Sequence, residues 1–83
     1  MEKFEYRPSG VCSRLFTFEV EDGKVCSLEV IGGCHGNLQG ISHLIKGMDI
    51  EEVISRLEGI RCGNKSTSCP DQIAQALKDY QSI

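Results

Sequence analysis

The sequence has no long hydrophobic run, few basic residues and no C-x-x-C pair, and each lack excludes a class of function. No stretch approaches the ~20 consecutive apolar residues that cross a bilayer, so no membrane span is expected. Nine Lys and Arg are scattered among twelve Asp and Glu, giving a formal net charge of −3. That balance argues against a nucleic-acid or anionic-membrane surface. The opening MEKFEYRPSG is charged and has no apolar core, so no secretory leader is expected. The expected compartment is the cytoplasm, where thiols stay reduced. Five cysteines are an odd number, which argues against a complete disulfide framework. Neither a Gly-Lys-Ser/Thr phosphate loop nor a G-x-G-x-x-G fingerprint occurs, and no Ser/His/Asp set or carboxylate pair stands out. What remains is an 83-residue chain, 40% hydrophobic and 25% charged, read as one folded domain over residues 1–83.

The first part of the chain alternates with period two. FEYR (4–7) is a short candidate strand closed by Pro8-Ser9-Gly10. In SRLFTFEV (13–20), Phe16, Phe18 and Val20 fall on one face, and in VCSLEVI (25–31), Cys26, Leu28 and Val30 do the same. The turn Glu21-Asp22-Gly23-Lys24 between them makes a hairpin. After Gly33 the spacing becomes helical: Leu38, Ile41, Leu44, Ile45 and Met48, with Gly47 as the stop. Asp49 and Glu52 stand in a capping-box arrangement before the stripe Ile50, Val53, Ile54 and Leu57, which Gly59 ends. A last helix begins around Pro70 and runs through Ile73, Ala74, Leu77 and Tyr80. The expected fold class is α+β: an antiparallel β-meander over residues 3–31, followed by three helices packed on one face.

The cysteines divide by setting. Cys26 is in phase with Leu28 and Val30 and reads as a small buried hydrophobe. Cys12 shares the parity of Phe16, which suits core packing and an inward-facing ligand equally. Cys34 lies in the glycine-rich turn GGCHGN (32–37) and Cys69 precedes Pro70, so both sit where a helix begins and the dipole favours thiolate. Cys62 lies in the same polar loop as Cys69 and could close a disulfide with it. Cys12, Cys34, Cys62 and Cys69 could together hold zinc or an iron–sulfur cluster, with His35 or Asp71 as substitutes, or act as a redox set. The alternative is a non-catalytic nucleotide- or phosphate-binding module, using Gly33, Gly36 and Asn37 at a helix start, or an interaction domain with structural cysteines. His43 reads as a surface or boundary residue.

TSCPD (67–71), GGCHGNLQGIS (32–42) and GVCS (10–13) closely resemble the TSCPD domain family. The resemblance covers nearly the whole chain. It implies a free-standing bacterial protein similar to the C-terminal region of cobalamin-dependent ribonucleotide reductases, enzymes of DNA biosynthesis. It also places Cys12, Cys34, Cys62 and Cys69, but not Cys26, at the family's cysteine positions. A domain of this size is too small for ribonucleoside-diphosphate reduction by itself, so the implied role is accessory, beside a reductase subunit or another protein, with a homo-oligomer as a further option. A fainter similarity to NifU-like iron–sulfur scaffolds rests on Gly33-Cys34, Lys46-Gly47 and Ser68-Cys69. Gly36 stands where those scaffolds carry an aspartate, which counts against cluster assembly and leaves zinc or bare thiols.

Overall fold

The computed structural model describes residues 2–8, 10–11, 13–32, 35–61, 63 and 67–81, with the backbone alone for 35–37. Three strands, β1 (Glu2–Tyr6), β2 (Ser13–Glu21) and β3 (Lys24–Gly32), form an antiparallel sheet in the order β1-β2-β3. Three helices follow: α1 (His35–Ile45), α2 (Ile50–Leu57) and α3 (Cys69–Gln81). This is the α+β meander expected from the change in periodicity. The β2–β3 turn is Asp22-Gly23, with φ of 53° and 75°, the left-handed pair that a two-residue hairpin loop requires.

The helices cover one face of the sheet. Phe16, Phe18 and Val20 of β2 and Val25 and Leu28 of β3 are buried against Ile45 of α1, Ile50, Val53 and Ile54 of α2, and Ile73, Ala74, Ala76 and Leu77 of α3. Phe4 of β1 is sandwiched between Phe18, at 4.7 Å between ring centroids, and Tyr80 of α3, at 4.5 Å. The Tyr80 hydroxyl donates to Glu2 at 2.8 Å, so the end of α3 is fastened to β1. Among the described residues no helix is long and apolar enough to cross a membrane.

Two bulges interrupt the alternation of β2 and β3. Glu19 lies opposite Ser27 but Val20 lies opposite Val25, which leaves Cys26 as the extra residue. Cys26 is therefore only half-buried, and Val25 takes the core position beside Leu28. The expectation that Cys26 is a core residue is corrected by this bulge. Likewise Ser13 pairs with Gly32 and Leu15 with Ile31, so Arg14 is extra and Ser13 turns onto the covered face, 4% exposed. The parity count from Phe16 back towards Cys12 crosses that bulge; Cys12 itself lies outside the described residues.

Two helix expectations are also corrected. Leu44 is 76% exposed, because α1 packs on β3 through Leu38 and Ile45 and buries a narrower stripe than its spacing suggests. Asp49 occupies the N-cap position of α2 without a side-chain capping bond. The Ile50 N–H instead donates to the Gly23 carbonyl at 2.8 Å, and the Glu52 carboxylate accepts from Arg56 at 3.0 Å. The backbone of the hairpin turn thus satisfies the first N–H of α2, and no capping box forms.

Phe18→Ala removes a fully buried ring from the middle of this core and is expected to cost about 3–5 kcal/mol in urea unfolding. Leu44→Ala, at an exposed position, should stay within about 0.5 kcal/mol.

Candidate functional site

Helix α3 starts with Ser68-Cys69-Pro70-Asp71, the Ser-x-x-acid pattern of a capped helix before the apolar Ile73. Ser68 is buried, and its hydroxyl accepts from the Asp71 N–H at 3.2 Å while donating to the Ile60 carbonyl at 2.6 Å. One hydroxyl thus caps the helix and holds the incoming loop. Asp71 does not complete a reciprocal box. Its carboxylate turns to the loop, where Oδ1 accepts from the Gly59 N–H at 2.8 Å and Oδ2 accepts from the Thr67 hydroxyl. Gln72 Nε2 donates to Thr67 Oγ1 at 2.9 Å and fixes the direction of that hydroxyl. Gly59, with φ +83°, ends α2 in a left-handed conformation that directs its N–H at the carboxylate.

Asp71 is 7% exposed, and a carboxylate so placed stays ionised only because donors surround it. The Thr67 hydroxyl, then the Gly59 N–H, with smaller help from Gln75 and Lys78, hold its pKa below the ordinary 3.8, against the opposing effect of burial. Both oxygens are engaged within the chain, so Asp71 acts as a structural tie between α2 and α3. The substitute-ligand role suggested by its place in the motif does not fit that geometry.

Cys69 is the first residue of α3 and is half-buried. Its Sγ lies 3.2 Å from the Ser13 hydroxyl, 56 positions earlier in the chain. The bulge at Arg14 creates this contact by turning Ser13 inward. Gly10 approaches from the same side: a Cβ built on it would lie 3.2 Å from the Thr67 methyl, and its φ is +74°. The GVCS and TSCPD stretches are therefore packed together.

Of the other expected site residues, Cys12, Cys34, Cys62 and Gly33 lie outside the described residues. Gly36 and Asn37 fall in the first turn of α1, which begins at His35; the side chains of all three are outside the description. His43 is exposed on α1, as expected. Among the described residues no group of three or more His, Cys, Asp or Glu forms a metal-holding cluster. Residue-by-residue reading missed Ser13, Thr67, Ser68 and Gln72. The Ser-x-x-Asp spacing was a signal for Ser68, whereas Ser13 became visible only through the bulge.

Asp71→Asn should destabilise the fold by about 2 kcal/mol at neutral pH, the usual scale for removing a charged acceptor from buried donors. The folded carboxyl is more acidic than the unfolded one near 3.8, so this stabilisation is whole above that value. It fades as pH falls through the lower folded value. Urea midpoints of wild type and variant should run parallel from pH 7 to 5 and converge in stronger acid.

No curated protein and no solved structure matches the chain. The family model described as TSCPD domain matches residues 2–81, from the first strand to the end of the last helix. The chain belongs to the TSCPD domain family.

Proposed function

We propose that the chain is a small accessory domain in which Cys12, Cys34, Cys62 and Cys69 act as one site, holding zinc or an iron–sulfur cluster or relaying reducing equivalents. One observation carries the reading: the described neighbours of three cysteines gather around the fourth. Ser13 follows Cys12 directly, Gly32 stands two residues before Cys34, and Ile60 two before Cys62. Ser13 lies opposite Gly32 in the sheet and bonds Cys69 through its hydroxyl. Ile60 is bonded to Ser68, the residue before Cys69. Strand ends and loop end thus meet at the mouth of α3.

Four thiolates fit a closed zinc site, and clusters are likewise held by cysteine thiolates. When bound, zinc would supply folding free energy and a cluster would carry an electron. The chain's own groups prepare the site without it. Ser68 and Asp71 fix the start of α3, and the Ser13 hydroxyl is hydrogen-bonded to Cys69 Sγ, the kind of outer contact that orients a sulfur ligand. In the reduced cytoplasm these thiols would be free to ligate or exchange. The resemblance to reductase C-terminal regions makes a ribonucleotide reductase subunit the first partner to test, with this chain in support and the reductase chemistry elsewhere.

Elemental analysis of protein purified without an affinity tag tests the metal-holding form. About one zinc per chain, or iron with sulfide, is expected, with marked loss in Cys69→Ser. Metal-free protein whose thiols are also unreactive would overturn the reading, and a phosphate-dependent rise in Tm would then favour the anion-binding module.

A further inference from the structure

A groove of about 400 Å³ runs between β3 and α1. That volume falls within the ~300–1,000 Å³ typical of ligand sites. Its floor is apolar, with Leu28 of β3 and Leu38 of α1 at 6% and 4% exposure and Val30 half-buried beside them. Gln39 and His43 of α1, with Lys46 just after its end, form one rim.

The other rim is main chain. Ser27 and Glu29 border the groove, yet the Ser27 hydroxyl donates to Glu19 across the uncovered face of the sheet, and alternation puts the Glu29 side chain on that same face. Both residues therefore meet the groove with their backbone. β3 is an edge strand. Among the described residues its outer side is closed at the start of the strand, where the Val25 N–H donates to the Met48 carbonyl at 2.9 Å and the Gly47 N–H donates to the Val25 carbonyl at 2.6 Å. Beyond Val25, no main-chain group of β3 has a partner on that side among the described residues. Such an edge is a template for another strand, and proteins usually blunt it with charge, proline or a covering element. Here it faces an apolar floor.

From this juxtaposition we propose that the groove binds the C-terminal segment of another protein as a fourth strand, antiparallel to β3. Backbone bonds to the edge would hold the strand, and alternate apolar side chains would rest on Leu28 and Leu38. The blocked end and the cation beside it suit the C-terminus of an antiparallel strand. A strand antiparallel to β3 runs towards Val25, where Gly47 and Met48 already occupy the edge, so its pairing with β3 ends there. Lys46 stands at that stop, with His43 one turn before it, and neither has an ion-pair partner among the described residues. A terminal carboxylate is the group that a stopped strand brings to an unpaired ammonium. Lys46 also borders a second hollow, shared with Glu21 and Asp22.

The test is a library of random decapeptides displayed with free C-termini, selected on the native full chain. Selected peptides are then measured by fluorescence polarisation as acid and as amide. An alternating apolar consensus is expected, with binding weakened about tenfold both by amidation and by Lys46→Glu, the scale of one charged hydrogen bond. Amide resonances of Ser27–Gly32 and of Leu38–Lys46 should shift on binding. No selected peptide, equal binding of acid and amide, or shifts confined to α2 and α3 would each overturn the proposal.

Discussion

A buried carboxylate must be surrounded by donors to remain ionised, and Asp71 receives them from two directions. The Gly59 N–H reaches it from the end of α2 and the Thr67 hydroxyl from the loop before α3. Without that tie the described part of the segment between the two helices would still touch α3 through Lys78 at Glu58 and Gln72 at Thr67, but Gly59 would lose its hold on the helix start. With it, the end of α2, the loop and the start of α3 are joined, and at that start Cys69 meets Ser13 of the sheet. The geometry of the thiol end therefore depends on a charge that makes no contact with the thiol.

The sheet contributes through its irregularities. A regular β2 would direct Ser13 away from the helices, since Phe16 and Phe18 already occupy the covered face. The extra residue at Arg14 reverses that and brings a polar side chain to the mouth of α3. The extra residue at Cys26 acts in the opposite sense: it moves a thiol out of the core and seats Val25 there. At the far end of α3, the stack of Phe18, Phe4 and Tyr80 joins the helix to β1, so α3 is held at both ends.

The fold was legible because its signals are local. Alternation marked β2 and β3, Asp22-Gly23 marked their turn, and the stripe Ile50, Val53, Ile54 marked α2. Bulges were not legible, because they are set by how two strands pair rather than by either strand alone. Asp49 misled for a related reason: the start of α2 is held by the Gly23 carbonyl, distant in sequence, which accepts from the Ile50 N–H. At the site, the TSCPD string was recognisable as a motif, but its division of labour was not. Ser68 caps, Asp71 ties and Thr67 is the donor between them, leaving Cys69 as the member whose sulfur faces another segment.

On this account a metal bound by the protein takes its ligands from the four family cysteines, with Ser13 and the Asp71 tie as support. X-ray absorption at the metal edge of untagged protein tests that most directly. Zinc should show a shell of about four sulfurs near 2.3 Å, and removal of Cys69 should lower the sulfur count. A shell of nitrogen and oxygen alone, or a sulfur count unchanged in Cys69→Ser, would contradict it.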